Sequence, residues 1–179
     1  MKLFHFILIL FFPLVLMAQN KPINNAWEEI DLAMSNGQFT SLMPKISEIK
    51  ANALKQNKDA DYIKSLFYEA KIKIVTTDET DDVNFIFENF TKEINGKSKV
   101  RDAIINSYLA NLYQLYYNEN RWKIDSRTNV ENQNTKDVRF WTEETINKAI
   151  HSHFKNALVS KDSNISESSG AFFQLITNN

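Results

Sequence analysis

The sequence predicts an all-α protein made of irregular stacked helical hairpins, about six helices in all, behind a cleaved signal peptide. Apolar residues recur at three- and four-residue steps along most of the chain, which is the spacing of one face of a helix. The 179 residues include only 3 Gly and 3 Pro. So few glycines disfavour a turn-rich β-sandwich and glycine-rich phosphate loops, and composition therefore agrees with the helical pattern.

Residues 1–18 have the order of a secretory signal peptide. Lys2 is followed by an apolar run from Leu3 to Met17, and the small Ala18 precedes polar residues. An uncleaved membrane anchor is the alternative, but a helix needs roughly 20 apolar residues to span the hydrocarbon and this run is shorter. We expect cleavage close to Ala18, no stable membrane span afterwards, and a periplasmic or extracellular location.

The rest of the chain divides into two predicted parts. We expect residues 19–160 to form one helical domain, and residues 161–179 to be a polar linker followed by a truncated C-terminal segment. The apolar patch from Ala171 to Ile176 is typical of a segment that packs on something further along a chain. This pattern predicts a leading piece of a longer protein.

Composition excludes several classes of site. The chain has no Cys, which removes disulfides, thiol catalysis and zinc ribbons, together with the lipidated Cys of a bacterial lipoprotein. Its 21 basic and 22 acidic residues give a net charge of −1. They form no basic stripe that would displace counterions from phosphates, so nucleic acid is not an expected partner.

The helices in the first half of the chain are predicted from apolar stripes, caps and stops. The first helix should end at Gly37, because glycine tolerates a left-handed stop. The second should carry Pro44 in its first turn, where a missing N–H costs little. Asp59 should cap the third helix. A fourth should follow the acidic run 78–82, whose charge suits the amino end of a helix.

The central element is predicted to be a helix over Ser98–Ile124. Its apolar residues fall on more than one stripe, which predicts burial on several sides. Ser98 should cap its amino end. The apolar repeat gives out near Asn120, and residues 119–141 have little periodicity, so we expect a long loop there. A last helix should start at Thr142, with an inward face made of Ile146, Ala149, Ile150, Phe154 and Leu158.

No constellation of residues predicts catalysis, a metal site or a cofactor. His151 and His153 are two residues apart, which on a helix places them roughly 200° apart, so the pair cannot chelate one metal ion. The acidic run 78–82 is better explained as a solvated connector beside a helix terminus. A GxSxG nucleophile turn is absent from the sequence. We therefore predict a protein that is not an enzyme.

One aperiodic stretch, residues 120–128, is the candidate interaction loop. Its candidate residues are Arg121, Trp122 and Arg127, since Arg and Trp are the residue types that anchor protein interfaces. A structural alternative remains open. Under that alternative Trp122 and Ile124 plug the end of the helical stack, and the two arginines satisfy nearby carbonyls or carboxylates.

A series of short motifs runs through the chain after a leader that ends in Ala-Gln-Asn. The motifs are Trp27–Asp31, Gly37–Ser41, Tyr108–Tyr113, Tyr116–Arg121, Arg127–Thr128 and Phe140–Thr142. In this order they resemble the amino-terminal helical region of bacterial alpha-2-macroglobulin-like proteins from the Bacteroidota. The resemblance extends to about Leu158, and therefore covers most of the chain after the leader.

The resemblance implies a secreted, non-catalytic helical interaction module, the first part of an envelope protein of the protease-inhibitor or defence type. Members of that family are long proteins with macroglobulin-like β-domains and often a thioester, and a chain without Cys has no thioester residue to carry over. Its partner would be another protein or the missing downstream domains. The alternative function is a periplasmic helical ligand-binding domain or a hydrolase that uses the 121–127 loop.

Overall fold

The computed structural model describes residues 23–76, 83–96, 98–127 and 136–159. Within these ranges the chain forms six α-helices, one short 3₁₀ helix and no strand, which confirms the all-α prediction. The helices are α1 (Ile23–Ser35), α2 (Phe39–Lys55), α3 (Asp59–Thr76), α4 (Asn84–Thr91), α5 (Lys99–Asp125), the 3₁₀ helix (Val138–Phe140) and α6 (Glu143–Val159).

Several predicted features lie outside the described residues. These are the signal peptide at 1–18, the acidic run 78–82, and the linker and C-terminal segment at 161–179. Over the part of the chain that is described, none of the helices combines the length and the apolar composition needed to cross a membrane.

The chain divides into two compact units, Met1–Gly37 and Gln38–Asn179. In the first unit, α1 buries the side chains of Trp27 and Ile30. The first helix stops as predicted: α1 ends at Ser35, and Gly37 follows with a positive φ of 71°. Glycine adopts this conformation without the steric cost of a side chain.

In the second unit, α2 and α3 pack on each other as a hairpin. Glu69 of α3 accepts hydrogen bonds from Lys50 and Ser47 of α2. The prediction for Pro44 was wrong: α2 begins at Phe39, so Pro44 lies inside the helix. Since proline has no N–H, it cannot make the main-chain bond that a helix residue donates four residues back, and tertiary packing on α3 has to offset that loss.

The central-helix prediction is confirmed, because α3, α4 and α6 all pack on α5. The side chain of Ser98 accepts a hydrogen bond from the main-chain N–H of Arg101 at 3.3 Å, which makes it the predicted cap. Residues on several sides of α5 are buried, as the multiple apolar stripes indicated: Ile105, Asn106, Tyr108, Leu109, Ala110, Leu112, Tyr113, Tyr116 and Tyr117.

The predicted loop over 119–141 was wrong at both ends. At its start, α5 continues to Asp125 through a kink at Asn120, whose φ and ψ are −115° and 15°. The Asn120 side-chain amide donates to the Tyr116 carbonyl at 3.0 Å, so a polar side chain satisfies the backbone where the ladder is disturbed. At its end, Val138–Phe140 form the 3₁₀ helix. Residues 128–135 lie outside the described ranges.

The predicted inward face of α6 was right for its first half and wrong for its second. Ile146 and Ile150 are buried, whereas Phe154 is 41% and Leu158 is 66% exposed. The reason is helical geometry. Each four-residue step overshoots a full turn by about 40°, so the row from Ile150 through Phe154 to Leu158 rotates away from α5. His153 faces α5 at that level instead.

Candidate functional site

Trp122 is one of three predicted site residues, and the structure leaves it open to solvent. Its side chain is 73% exposed, and the ammonium of Lys123 lies 5.2 Å from the centre of its ring. Ile124, two residues further on, is fully buried. The alternative in which both side chains plug the end of the helical stack therefore holds for Ile124, which packs in the core. It was wrong for Trp122.

Arg121 lies beside Trp122 on the same exposed turn of α5. Its guanidinium Nε is 3.3 Å from Asp125 Oδ2, and both side chains are largely exposed. Asp125 Oδ1 also accepts from the Tyr117 hydroxyl at 3.0 Å. A solvated pair of this kind contributes little to stability, so the guanidinium can exchange its partner for one on another protein at small cost.

Arg127, the third predicted residue, has a structural role. Its Nη1 donates to the main-chain carbonyl of Trp141 at 2.6 Å, which ties the end of α5 to the segment that leads into α6. Arg121 and Trp122 are therefore adjacent, exposed residues of the last turn of α5, and Arg127 holds the chain just after them. The structure also corrects the setting, because residues 121–125 are helical. The alternative function assumed a loop over 121–127.

Near this end of α5, Phe140 on the 3₁₀ helix is 60% exposed. It precedes Trp141, whose carbonyl Arg127 binds, so Phe140 is held beside the end of α5. We call Arg121, Trp122 and Phe140 the aromatic end of the α5–α6 pair. Phe140 was not predicted as a surface residue, because an apolar side chain in an aperiodic segment carries no local sign of exposure.

The segment just before Phe140 is held by hydrogen bonds to Asn84, which the sequence did not predict. The Asn84 side chain donates to Asp137 at 2.8 Å and accepts from the Val138 N–H at 2.7 Å. Hydrogen bonds from Arg139, together with that from Asn84, hold the pKa of the Asp137 carboxyl far below its usual range. A lowered pKa keeps the Asp137 carboxylate ionised, whereas a carboxyl group that acts as a general acid needs a raised pKa.

A second missed cluster surrounds Arg101, which is buried on α5. Its guanidinium donates to Asp59 at 3.0 Å, to the Glu93 carboxylate at 2.6 Å, and to the Glu93 main-chain carbonyl. Burial opposes its charge, but the bonds to Glu93 and Asp59 outweigh burial and raise the pKa of Arg101. Asp59 was predicted to cap α3, and as the first residue of that helix it binds this arginine instead.

The Glu93 carboxylate in this cluster also accepts from the Tyr62 hydroxyl at 2.9 Å. Burial, together with that hydrogen bond, raises the pKa of Tyr62 to about 12. Tyr62 and Asp59 come from α3, Arg101 comes from α5, and Glu93 follows α4, so the cluster joins three elements. Its hydrogen bonds tie these elements to one another.

The two histidines lie in different surroundings. His151 is exposed, while His153 is half-buried with its ring stacked on Tyr113. Tyr113 also stacks on Phe87 at 4.1 Å and on Trp141 at 5.6 Å between ring centres. Within the described ranges, no group of three or more His, Asp or Glu residues is placed to hold a metal ion.

Substitution by alanine should separate the two roles in this region. Trp122→Ala should leave the free energy of unfolding unchanged, because the ring is mostly in solvent. Arg127→Ala should lower it by about 1–2 kcal/mol, because a charged hydrogen bond to a carbonyl is lost. Urea unfolding followed by circular dichroism measures both. A large loss for Trp122→Ala would mean that the ring is part of the core.

Comparison of the chain with protein-family models, with curated proteins and with solved structures found no match in any of the three.

Proposed function

We propose that this protein is a secreted, non-catalytic helical interaction module, similar to the amino-terminal region of bacterial alpha-2-macroglobulin-like envelope proteins. In this proposal the aromatic end of the α5–α6 pair, made of Arg121, Trp122 and Phe140, contacts a protein partner or the downstream domains of the same assembly. The support is of two kinds: the ordered motifs of the sequence and the exposure of this surface.

The observation that carries the proposal is the 73% exposure of Trp122 on a helical turn. A large aromatic ring on regular backbone loses little conformational entropy when a partner covers it. Trp and Arg are also the residues most often found at the energetic centre of protein interfaces. Trp122 has Arg121 next to it and Phe140 at the same end of the α5–α6 pair, so an anchor and its surroundings are present together.

The polar groups of the interior support the non-catalytic part of the proposal. In the described part of the chain, every buried side-chain nitrogen or oxygen has a hydrogen-bond partner. The clusters around Arg101 and Asn84 each join separate helices or segments through these bonds. Polar groups used in this way hold the fold together.

Export is tested directly. Mass spectrometry of the protein from the periplasm or the medium of the bacterium that produces it should give a chain that begins at or next to Gln19. The basic, apolar and small-residue order of residues 1–18 is the reason for this expectation. Recovery of a chain that still begins with Met1 would contradict export with cleavage.

The contact surface is tested by photo-crosslinking in the same bacterium. A benzoylphenylalanine residue in place of Trp122 should yield a discrete adduct with one envelope protein or one macroglobulin-like downstream domain. Replacement of Phe140 should yield the same adduct, because both rings belong to the aromatic end. Adducts are separated by electrophoresis and identified by mass spectrometry.

Leu54 is the matched control, since it is a large apolar residue of α2 that is 58% exposed and does not belong to the aromatic end. The photoreactive residue at Leu54 should not capture the partner found at Trp122. Equal capture at all three positions would indicate non-specific contact, and the absence of any adduct at Trp122 would remove the main support for this surface.

A further inference from the structure

His153 belongs to α6, and its side chain packs against α5. Its ring lies nearly parallel to that of Tyr113, at 5.7 Å between centres and 17° between planes. Its Nδ1 is 2.9 Å from Asn106 Oδ1. Asn106 and Tyr113 both belong to α5 and are buried, so this histidine forms part of the contact between α5 and α6.

The hydrogen bonds determine which ring nitrogen carries the proton. The Asn106 side-chain Nδ2 donates to the Asp102 carbonyl at 2.8 Å. The other amide atom, Oδ1, is therefore the one that faces His153, and an oxygen of this kind only accepts. Nδ1 of His153 must therefore carry a hydrogen and donate it to Asn106 Oδ1. The neutral ring already makes this hydrogen bond. An added proton goes to Nε2, where it gains no bond to Asn106.

The groups in contact with the ring offer little to balance a positive charge. The Asn106 amide is neutral, and burial raises the pKa of Tyr113 to about 12, so its phenol is neutral too. Burial also lowers the pKa of His153. Along α6 the nearest charged side chains are Lys148, which is paired with Glu144 at 2.6 Å, and Lys155. On α5 the Asp102 carboxylate lies one turn before Asn106 and accepts from the main-chain N–H groups of Asn95 and Gly96.

We propose that His153 makes the α5–α6 contact sensitive to acid, so that protonation at Nε2 loosens the carboxyl-terminal half of α6 from α5. The contribution of the neutral ring is fully present above the pKa of an unfolded histidine, which is about 6.5. It is lost as the pH falls below that value, because the unfolded or detached ring binds the proton more readily than the docked ring. We therefore expect the second half of α6 to loosen from α5 at mildly acidic pH.

Carboxylates elsewhere in the α5–α6 contact have to be separated from this effect. The Tyr117 hydroxyl lies 3.0 Å from Asp125 and 3.2 Å from Glu143 at the start of α6. A Glu143→Gln variant removes one of these carboxylates while the His153 site stays intact. The acid response assigned to His153 should persist in that variant.

The first measurement needs no substitution. In an NMR titration of the full chain, the ring signals of His153 should titrate at lower pH than an unfolded histidine, whose pKa is about 6.5. A cation on the face of Tyr113 could instead be favoured by cation–π attraction. In that case His153 would titrate at or above the value of an unfolded histidine, and this result would overturn the proposal.

The second measurement follows the helix. Between about pH 7.5 and about pH 5, hydrogen exchange corrected for intrinsic rates should show several-fold loss of protection in the second half of α6. His153→Phe keeps a planar ring against Tyr113 without a titratable group, so its α6 protection should not change with pH in this way. His151→Phe is the matched control and should behave like the wild type. Equal acid sensitivity in wild type and His153→Phe would overturn the assignment.

Discussion

Replacing Leu109 by alanine should lower the free energy of unfolding by about 2–5 kcal/mol. Leu109 is fully buried in the middle of α5 and belongs to the main core. Its loss removes apolar contacts and leaves a cavity that α3, α4 and α6 can close only in part, since all three pack on α5. Urea unfolding of the purified chain, followed by circular dichroism, measures the change.

Leu158→Ala is the matched control for this prediction. The same residue type is removed from a helix, but Leu158 is 66% exposed, so little apolar area returns to water and no cavity forms. The unfolding curve of Leu158→Ala should overlay that of the wild type. A negligible effect for Leu109→Ala would show that α5 is not the element on which the other helices pack.

The second large effect is expected at the buried Arg101 cluster. Arg101→Ala should lower the free energy of unfolding by about 2–4 kcal/mol, because the carboxylates of Asp59 and Glu93 and one main-chain carbonyl lose their donor. The expected loss is smaller than that for a fully buried ion pair because the side chains of Asp59 and Glu93 are 44% and 25% exposed. Water can therefore replace part of what the guanidinium supplied.

Two further variants define the cause. Arg121→Ala removes an arginine from an exposed pair on the same helix and should produce no measurable change, since such a pair is solvated. Combining Arg101→Met with Asp59→Asn and Glu93→Gln should recover part of the stability that Arg101→Ala loses, because no unpaired charge remains. If Arg101→Ala were no worse than Arg121→Ala, the cluster would have no role in joining α3 to α5.

The helices themselves were predictable because the signals that specify them are local. The Ser98 cap placed the start of α5 to within a residue, and the apolar period predicted the helix as far as the kink at Asn120, because both signals are set by neighbours on the same turn. The end of the first helix at Gly37 was predictable for the same reason, as a property of one residue's backbone. Burial of Leu109 followed from its place among several apolar stripes.

The candidate site was predictable only in part. Residue types singled out Arg121, Trp122 and Arg127, but not which of them faces solvent. On the last turn of α5, Trp122 and Ile124 are two residues apart and so face roughly opposite directions, and only packing decides that Trp122 is exposed and Ile124 is buried. The disturbed period around the kink at Asn120 also made a helix look like a loop. Arg127 acquired its structural role from a carbonyl 14 residues away.

By itself, the sequence determined that the protein is helical, where most helices lie, and that α5 is buried on more than one side. The tertiary structure decided which polar groups meet: Arg101 finds Asp59 at a separation of 42 residues, and His153 finds Asn106 at 47. It also decided that Phe154 is left exposed while His153 is docked. The physical reason is that an apolar period records only that a face is covered, whereas partners and exposure depend on where another helix crosses that face.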